Sequence, residues 1–191
     1  ISEADISCNP FEIPKHFKRL YGFDVGWNNT ACAWGAYDAE ADVIYVTHTY
    51  KRGQAEPATH AQAIKERGDW ILGAIDPASR GRAQADGEQL IALYRGQGLN
   101  LILADNAVEA GIFDMYERMA TGRLKVFSTC FEFFAEYRLY RRDEKGKIVK
   151  QNDHVMDAAR YMVRSIIGAG VVNVKREDPY AKANKRVGWM G

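Results

Sequence analysis

Three apolar segments near the start of the chain, separated by short polar connections, constrain its fold most strongly. Residues 18–24, 30–37 and 43–50 lack the spacing of an amphipathic helix, and the third is rich in β-branched and aromatic side chains. Connections this short typically join neighbouring antiparallel strands. The three segments therefore predict an antiparallel meander.

The pattern changes after residue 53, where segments with helical composition alternate with short apolar runs. A meander followed by such alternation predicts the α/β class, with a mixed central sheet that carries helices on both faces. The predicted helices cover 57–70, 86–96, 108–120, 130–141 and 153–167, and the further strands cover 70–75, 99–104 and 124–128.

The chain of 191 residues is long enough for one domain with a full hydrophobic core, which we expect over residues 18–168. Residues 1–17 are expected to be a linker or an irregular lead-in, and residues 169–191 a basic, flexible tail. Because the chain begins with Ile rather than Met, we expect it to be a piece of a longer protein. No segment approaches the roughly 20 apolar residues of a membrane span, so no membrane partner is expected.

Charge and cysteine content narrow the function only slightly. The net charge of +1 argues against a generally basic surface that coats nucleic acid, but it allows a local basic face. The cysteines Cys8, Cys32 and Cys130 lie far apart without the spacing of a metal site. This usage is typical of reduced thiols in a cytosolic compartment.

Acidic side chains stand where catalytic acids tend to lie. Asp24 and Asp76 each end an apolar strand, and Asp157 lies in the first turn of the last predicted helix. In open α/β sheets, sites form outside the carboxyl ends of the strands, and a buried acid is costly unless a cation meets it. We therefore predict that these three carboxylates hold divalent metal for phosphodiester hydrolysis, with at least one of them loosely held or protonated when metal is absent.

The same residues allow plainer interpretations, because an aspartate at a strand end is commonly a turn or capping residue. Asp105 also ends a strand and can simply cap the next helix, and Asp153 can be a helix N-cap. On a helical wheel Asp157 lies near Arg160 and Arg164, which also fits a solvated face with local ion pairs.

Three motifs resemble the nuclease domain of the large terminase subunit of tailed double-stranded DNA phages. They are Gly-Phe-Asp-Val-Gly at 22–26, Ile-Asp at 75–76 and Asp-His-Val-Met-Asp-Ala-Ala-Arg-Tyr at 153–161, of which the last is the most specific. The resemblance covers about residues 18–168, and the overall sequence is most like that of the headful-packaging short-tailed Salmonella phages.

The resemblance implies an RNase H-like fold, related to resolvases and integrases, and an endonuclease that uses two Mg²⁺ or Mn²⁺ ions. Such an enzyme cuts concatemeric viral double-stranded DNA at the initiation and termination of headful packaging. Carried onto this chain, the catalytic and metal-binding residues are Asp24, Asp76 and Asp157, with His154 and Asp153 as candidate further ligands. An imidazole ligand would favour Mn²⁺ over Mg²⁺.

The resemblance also implies partners and a location. They are double-stranded DNA, the small terminase subunit, the portal protein, and an N-terminal packaging ATPase domain of the same full-length chain, in the host cytoplasm. No Gly-x-x-x-x-Gly-Lys-Ser/Thr phosphate loop occurs in this sequence, so we expect the nuclease part alone.

A nuclease blind to sequence should hold phosphates with Lys and Arg side chains. A charged hairpin predicted over 141–151 supplies the densest cluster and can also restrict access to the acids. The candidate DNA-binding residues are Arg80, Arg82, Arg141, Arg142, Lys145, Lys147 and Lys150. Lys51 and Arg52 are further candidates, for which ordinary surface charge is the simpler interpretation.

Three alternatives stay open at this point. An actin-like or sugar-kinase ATPase shares the strand order, but it needs a second, duplicated domain for which the chain is short. A resolvase or transposase of the same fold would cleave junctions. A non-catalytic docking module would bind the portal or small subunit through the tail after Gly170 and would tolerate Asp24→Asn.

Overall fold

The computed structural model of the chain describes residues 1–76, 84–140, 142–147, 149 and 151–168, and only the backbone of residues 84–86. The strands are β1 Ser7–Cys8, β2 Lys18–Asp24, β3 Thr30–Asp38, β4 Val43–Arg52, β5 Leu72–Ile75, β6 Leu101–Leu103 and β7 Leu124–Phe127. The helices are α1 Glu3–Ile6, α2 Pro57–Glu66, α3 Gln84–Gly96, α4 Val108–Ala120, α5 Phe131–Tyr137 and α6 His154–Ile166.

The strands of the described residues form one mixed sheet in the order β1-β7-β4-β3-β2-β5-β6. Strands β2, β3 and β4 are antiparallel neighbours, whereas β5 and β6 continue from β2 in parallel, and β7 and β1 continue from β4 in parallel. The predicted mixed sheet, with its first three strands antiparallel, is therefore confirmed.

The first eight residues differ from the expected linker. Ser2 caps α1 through a capping box with Asp5, Ile6 is fully buried, and β1 pairs with β7 so that Cys8 lies opposite Phe127. A two-residue strand that pairs with residues about 120 positions away leaves no periodic signal in its own sequence. Residues 7–8 thus form an edge strand of the sheet, and α1 precedes them.

The sheet separates two apolar layers because successive side chains of a strand point to opposite faces. Along β2, Leu20 belongs to the layer that contains α4, α5 and α6, whereas Tyr21 and Phe23 belong to the layer that contains α2 and α3. Helices consequently cover both faces of the sheet, as predicted.

Helix α6 lies unusually close to the centre of the sheet because two facing strand positions are glycines. A Cβ atom added at Gly22 would lie 1.7 Å from the carbonyl oxygen of Ala158, and one added at Gly35 would lie 2.2 Å from the Sδ atom of Met162. The predicted apolar stripe of α6 faces the sheet, with its side chains at most 2% exposed; it consists of Val155, Ala159, Met162, Val163 and Ile166. This contact sets the first turn of α6 beside the end of β2.

No helix within the described part of the chain is both long and apolar enough to cross a membrane.

Candidate acidic site

Asp24 and Asp76 lie side by side at the carboxyl ends of two adjacent parallel strands. Phe23 of β2 pairs with Ile75 of β5, and the two aspartates are the next residues of each strand. Asp24 is 1% exposed and Asp76 is 5% exposed. Because adjacent strands are about 4.8 Å apart, the strand pairing alone brings these two predicted site residues together.

The first turns of α6 complete the cluster. The Nδ1 atom of His154 lies 3.0 Å from Oδ2 of Asp24, and the hydroxyl of Tyr161 donates a hydrogen bond of 3.0 Å to Oδ2 of Asp76. Asp157, 9% exposed, lies between these two residues along the helix. One helix thus contacts both strand-end acids and carries the third.

The pKa shifts of Asp157 and Tyr161 also indicate that the three acids lie close together. Burial raises the pKa of Asp157, and the nearby charges of Asp153 and Asp24 raise it further, against the opposing effect of Arg160. Burial also raises the pKa of Tyr161 well above its ordinary value, and the charges of Asp157, Asp24 and Asp76 all add to that rise. The three acids therefore act together on one phenol. The raised pKa of Asp157 has the direction expected for carboxylates brought together.

Arg160 is the main fixed positive charge beside the acids. It is only 2% exposed, its Nη2 atom donates to Oδ1 of Asp157 at 3.0 Å, and its guanidinium lies 4.7 Å from the centre of the Tyr161 ring. Its Nε and Nη1 atoms make no hydrogen bond with the described residues. The alternative for Asp157 is thus confirmed in its local ion pair with Arg160 and wrong in its solvated face, because both members of the pair are buried.

The amino end of α6 is capped by a residue that sequence reasoning missed. Asp153 occupies the N-cap position and is 2% exposed, but its side chain makes no capping hydrogen bond. Instead, Oε2 of Glu136 in α5 accepts from the backbone N–H groups of Val155 and Met156, at 2.7 and 3.0 Å. No local signal distinguishes Glu136 from a surface residue of an aromatic-rich helix, because its partners lie nearly 20 positions further on.

Asp105, the other strand-end aspartate, is committed elsewhere. Its Oδ1 atom accepts from the N–H of Ala107 at 3.0 Å, just before α4, and its Oδ2 atom pairs with Arg164. The predicted cap by Asp105 is therefore wrong, because Ala107 is the N-cap of α4 and no side chain of the described residues caps this helix. The charge of Asp105 is also not among those that act on Tyr161.

The donor set suits a hard divalent cation, because carboxylate oxygens dominate it and one imidazole adjoins it. Each acid is held by a different neighbour, namely His154 for Asp24, Tyr161 for Asp76 and Arg160 for Asp157. With these contacts formed, no three His, Cys, Asp or Glu side chains of the described residues stand in a ready-made metal-binding group. A cation would offset the charges of Asp153 and Asp24, which add to the rise in the pKa of Asp157 caused mainly by burial, so the residues fit the metal chemically.

The predicted DNA-binding residues are only partly described, since Arg80, Arg82, Arg141 and Lys150 lie outside the described residues. Arg142 pairs with Glu109 at 2.9 Å and donates to the carbonyl of Gly146. In the described part of the predicted hairpin, the N–H of Asp143 donates to the carbonyl of Lys147 across a turn, and Oδ1 of Asp143 accepts from the N–H groups of Lys145 and Lys147. Both lysines are exposed.

Comparisons with known proteins identify the family and the fold of the chain. A family model described as a terminase RNaseH-like domain matches residues 21–165. The large terminase subunits of Salmonella phage P22 and Enterobacteria phage LP7 are each 38% identical to the chain over 171 residues. These matches cover 84% of the chain but 34% of the P22 protein and 36% of the LP7 protein, so the chain spans about a third of the length of the curated relatives it matches.

Solved structures give the same result. The nuclease domain of the P22 large terminase superposes with a TM-score of 0.82 at 38% identity, covering 86% of this chain and 89% of that chain. The large terminase of a thermophilic bacteriophage, in complex with ADP, has a TM-score of 0.74 at 24% identity and coverages of 88% and 44%. The large terminase nuclease domain of bacteriophage SPP1, with bound Mn, has a TM-score of 0.58 at 16% identity and coverages of 81% and 92%.

The two more distant structures are under 25% identical and support the fold alone. Together with the P22 nuclease domain, they identify the fold as RNase H-like, as the resemblance implied. The family model covers most of the chain, and the P22 and LP7 sequences agree with it. The chain belongs to the terminase RNaseH-like domain family.

Proposed function

We propose that the chain is the metal-dependent endonuclease part of a phage large terminase, with Asp24, Asp76 and Asp157 as its catalytic and metal-binding residues. Its substrate is concatemeric viral double-stranded DNA, cut at the initiation and termination of headful packaging. The observation that carries the proposal is the convergence of three buried acids from two parallel strands and one helix on a single phenol, Tyr161.

The proposed cofactors are two divalent ions, Mg²⁺ or Mn²⁺, held by the three aspartates with His154 and Asp153 as candidate further ligands. When bound, such ions stabilise the charge of phosphodiester hydrolysis and help to activate water. Two related structures support the choice of metal, since the SPP1 nuclease domain holds Mn and the nuclease of the thermophilic phage G20c holds magnesium.

The neighbours of the acids have separate tasks in this proposal. His154 and Tyr161 orient Asp24 and Asp76 by hydrogen bonds to one oxygen of each carboxylate. Arg160 balances part of the negative charge while the site is free of metal.

The wider assembly is also proposed rather than established for this chain. The matched relatives are about three times as long, and the large terminase of the thermophilic bacteriophage compared above is in complex with ADP. Both observations support an N-terminal packaging ATPase in the full-length protein. The small terminase subunit and the portal protein are the further proposed partners, and the proposed location is the host cytoplasm.

The test is digestion of supercoiled plasmid in Mn²⁺ by the wild-type chain and by Asp24→Asn, Asp76→Asn and Asp157→Asn. Because each variant keeps the shape of the side chain but loses the charge that binds metal, we expect cleavage to fall at least about 100-fold in all three.

Asp105→Asn is the matched control. It follows strand β6 and is also bonded by a side chain of α6, but its charge is not among those that act on Asp157 or Tyr161. Cleavage by this variant should therefore stay within about threefold of wild type. Full activity in the three cluster variants would refute the assignment.

A further inference from the structure

Glu136 is a buried charge next to the acidic site that the proposed chemistry does not use. It is 3% exposed, and its two oxygens serve two different elements. Oε2 accepts from the N–H groups of Val155 and Met156 in α6, and Oε1 pairs with Nζ of Lys51 at 2.8 Å. One carboxylate therefore ties the end of β4 to the first turn of α6.

Lys51 also stands close to the acids through the sheet. Asp24 pairs with Ala31, and Ala31 pairs with Lys51, so the three residues form one row across β2, β3 and β4. Paired residues point to the same face, and two strand spacings amount to about 10 Å. The lysine of the Lys51–Glu136 ion pair therefore lies in the same row of paired residues as Asp24.

The two backbone amides that Glu136 accepts from lie between two residues of the acidic site. Val155 and Met156 stand between His154, which contacts Asp24, and Asp157, which is the third acid. Because neighbouring residues of a helix move as one rigid turn, a shift of these two amides displaces both side chains. Displacements of about 1 Å in such a constellation can cost about 100-fold in rate.

We propose that Glu136 is a positioning residue of the acidic site, which fixes the first turn of α6 through its two amide hydrogen bonds so that His154 and Asp157 face the strand-end aspartates. This inference rests on the proposed function, because it treats these acids as the metal-binding group. Glu136 is not placed among the residues that touch metal or DNA.

The experiment compares three variants by two readouts that need no turnover. Glu136→Ala removes both contacts, Glu136→Gln keeps an oxygen that can accept from the α6 amides, and Lys51→Met removes only the ion pair. The readouts are the Mn²⁺ dissociation constant, measured by electron paramagnetic resonance of free Mn²⁺, and the His154 imidazole signals in the NMR spectrum of the metal-free protein.

We expect Glu136→Ala to weaken Mn²⁺ binding at least about tenfold and to move the His154 signals, as is typical when residues that orient metal ligands are lost. Glu136→Gln should rescue both readouts, with Mn²⁺ binding within about threefold of wild type. Lys51→Met should also stay within about threefold, because the two amide hydrogen bonds remain.

Asp42→Asn is the matched control for lost stability. Asp42 accepts from Arg118, Arg123 and Tyr37 in a comparable network, but it lies in the turn at the opposite ends of β3 and β4. The variant should lower the free energy of unfolding without changing Mn²⁺ affinity or the His154 signals.

The outcomes separate this inference from the proposed function. Wild-type Mn²⁺ affinity and unmoved His154 signals in folded Glu136→Ala would overturn the positioning role while leaving the nuclease proposal intact. Failure of the wild-type chain to bind Mn²⁺ would instead count against the proposed function, and the metal-free His154 signals would still test the positioning. If Glu136→Ala does not fold, failure of folded Glu136→Gln to keep the wild-type His154 signals would refute the positioning through the amides.

Discussion

Each acid of the cluster is hydrogen-bonded to a side chain of different chemistry. Asp24 meets an imidazole, Asp76 meets a phenol, and Asp157 meets a guanidinium that is always charged. The fixed charge beside Asp157 opposes the rise in its pKa, but burial outweighs it. A cation near Asp157 would therefore offset the charges of Asp153 and Asp24, which add to the rise in its pKa.

A half-buried group, His48 in β4, is expected to make the stability of the fold depend on pH. Burial, followed by the charges of Arg67 and Arg19, lowers the pKa of His48 to about 4. The pKa of His48 is higher in the unfolded state, about 6.5, so the unfolded state binds the proton first as the pH falls. The contribution of His48 to stability is therefore complete above about pH 6.5 and is lost between about pH 6.5 and 4. Urea unfolding of His48→Gln should show less loss than wild type between pH 7 and 5, by about 1 kcal/mol after allowance for solvent screening.

The exposed His16 supplies the control, because it lies before β2 outside the packed layers. His16→Gln should keep the pH dependence of the wild-type chain. An unchanged dependence of the unfolding free energy on pH in His48→Gln would mean that the pKa of His48 is the same in the folded and unfolded states.

At the scale of elements, the site depends on how closely α6 approaches the sheet. A Cβ at Gly22 would meet the carbonyl oxygen of Ala158 at 1.7 Å, and backbone cannot move aside as a flexible side chain can. Gly22→Ala should therefore lower the free energy of unfolding by about 3 kcal/mol or more and should reduce Mn²⁺ affinity at the same time, since α6 carries His154 and Asp157. Urea unfolding and a Mn²⁺ titration measure the two effects.

Gly96→Ala is the matched glycine substitution. A Cβ at Gly96 would have no atom within 4 Å, and the position lies at the end of α3, where alanine is at least as favourable as glycine. This variant should be as stable as wild type or slightly more stable. Equal stabilities of the two alanine variants would contradict the close approach of α6.

The elements also show what the sequence could and could not predict. Helix α4 begins and ends where its periodicity predicts, and the strands that present Asp24 and Asp76 are recognisable as short apolar runs. Strand β1 and the cap by Glu136 are not predictable in this way, because each depends on a partner distant in sequence. The pairing of Phe23 with Ile75, which brings two acids together, is likewise a property of the folded sheet.

Across the whole molecule, the acids lie at one end of the central strands. The charged turn of residues 142–147 lies between α5 and α6 in the sequence, shortly before His154 and Asp157. Tyr140, just before this turn, has its pKa raised to about 12, mainly by burial and then by Asp157, with Arg142 acting in the opposite direction. The beginning of the turn is therefore within electrostatic reach of the cluster. With a net charge of only +1, local placement of basic side chains has to supply any attraction for DNA.

Lys145 and Lys147 are the described basic residues best placed for this task, because both are exposed and neither side chain forms an ion pair with the described residues. The double variant Lys145→Ala/Lys147→Ala should weaken binding of a 30-base-pair duplex about tenfold at low salt. The slope of log K against log salt should fall by up to about 2, since each lost phosphate contact removes about 0.9. Fluorescence anisotropy without divalent metal measures both quantities while preventing cleavage. Lys15→Ala/Lys65→Ala is the control, which removes the same charge just before β2 and in the last turn of α2. An equal loss of DNA affinity in this control would show that general charge, and not this turn, attracts the DNA.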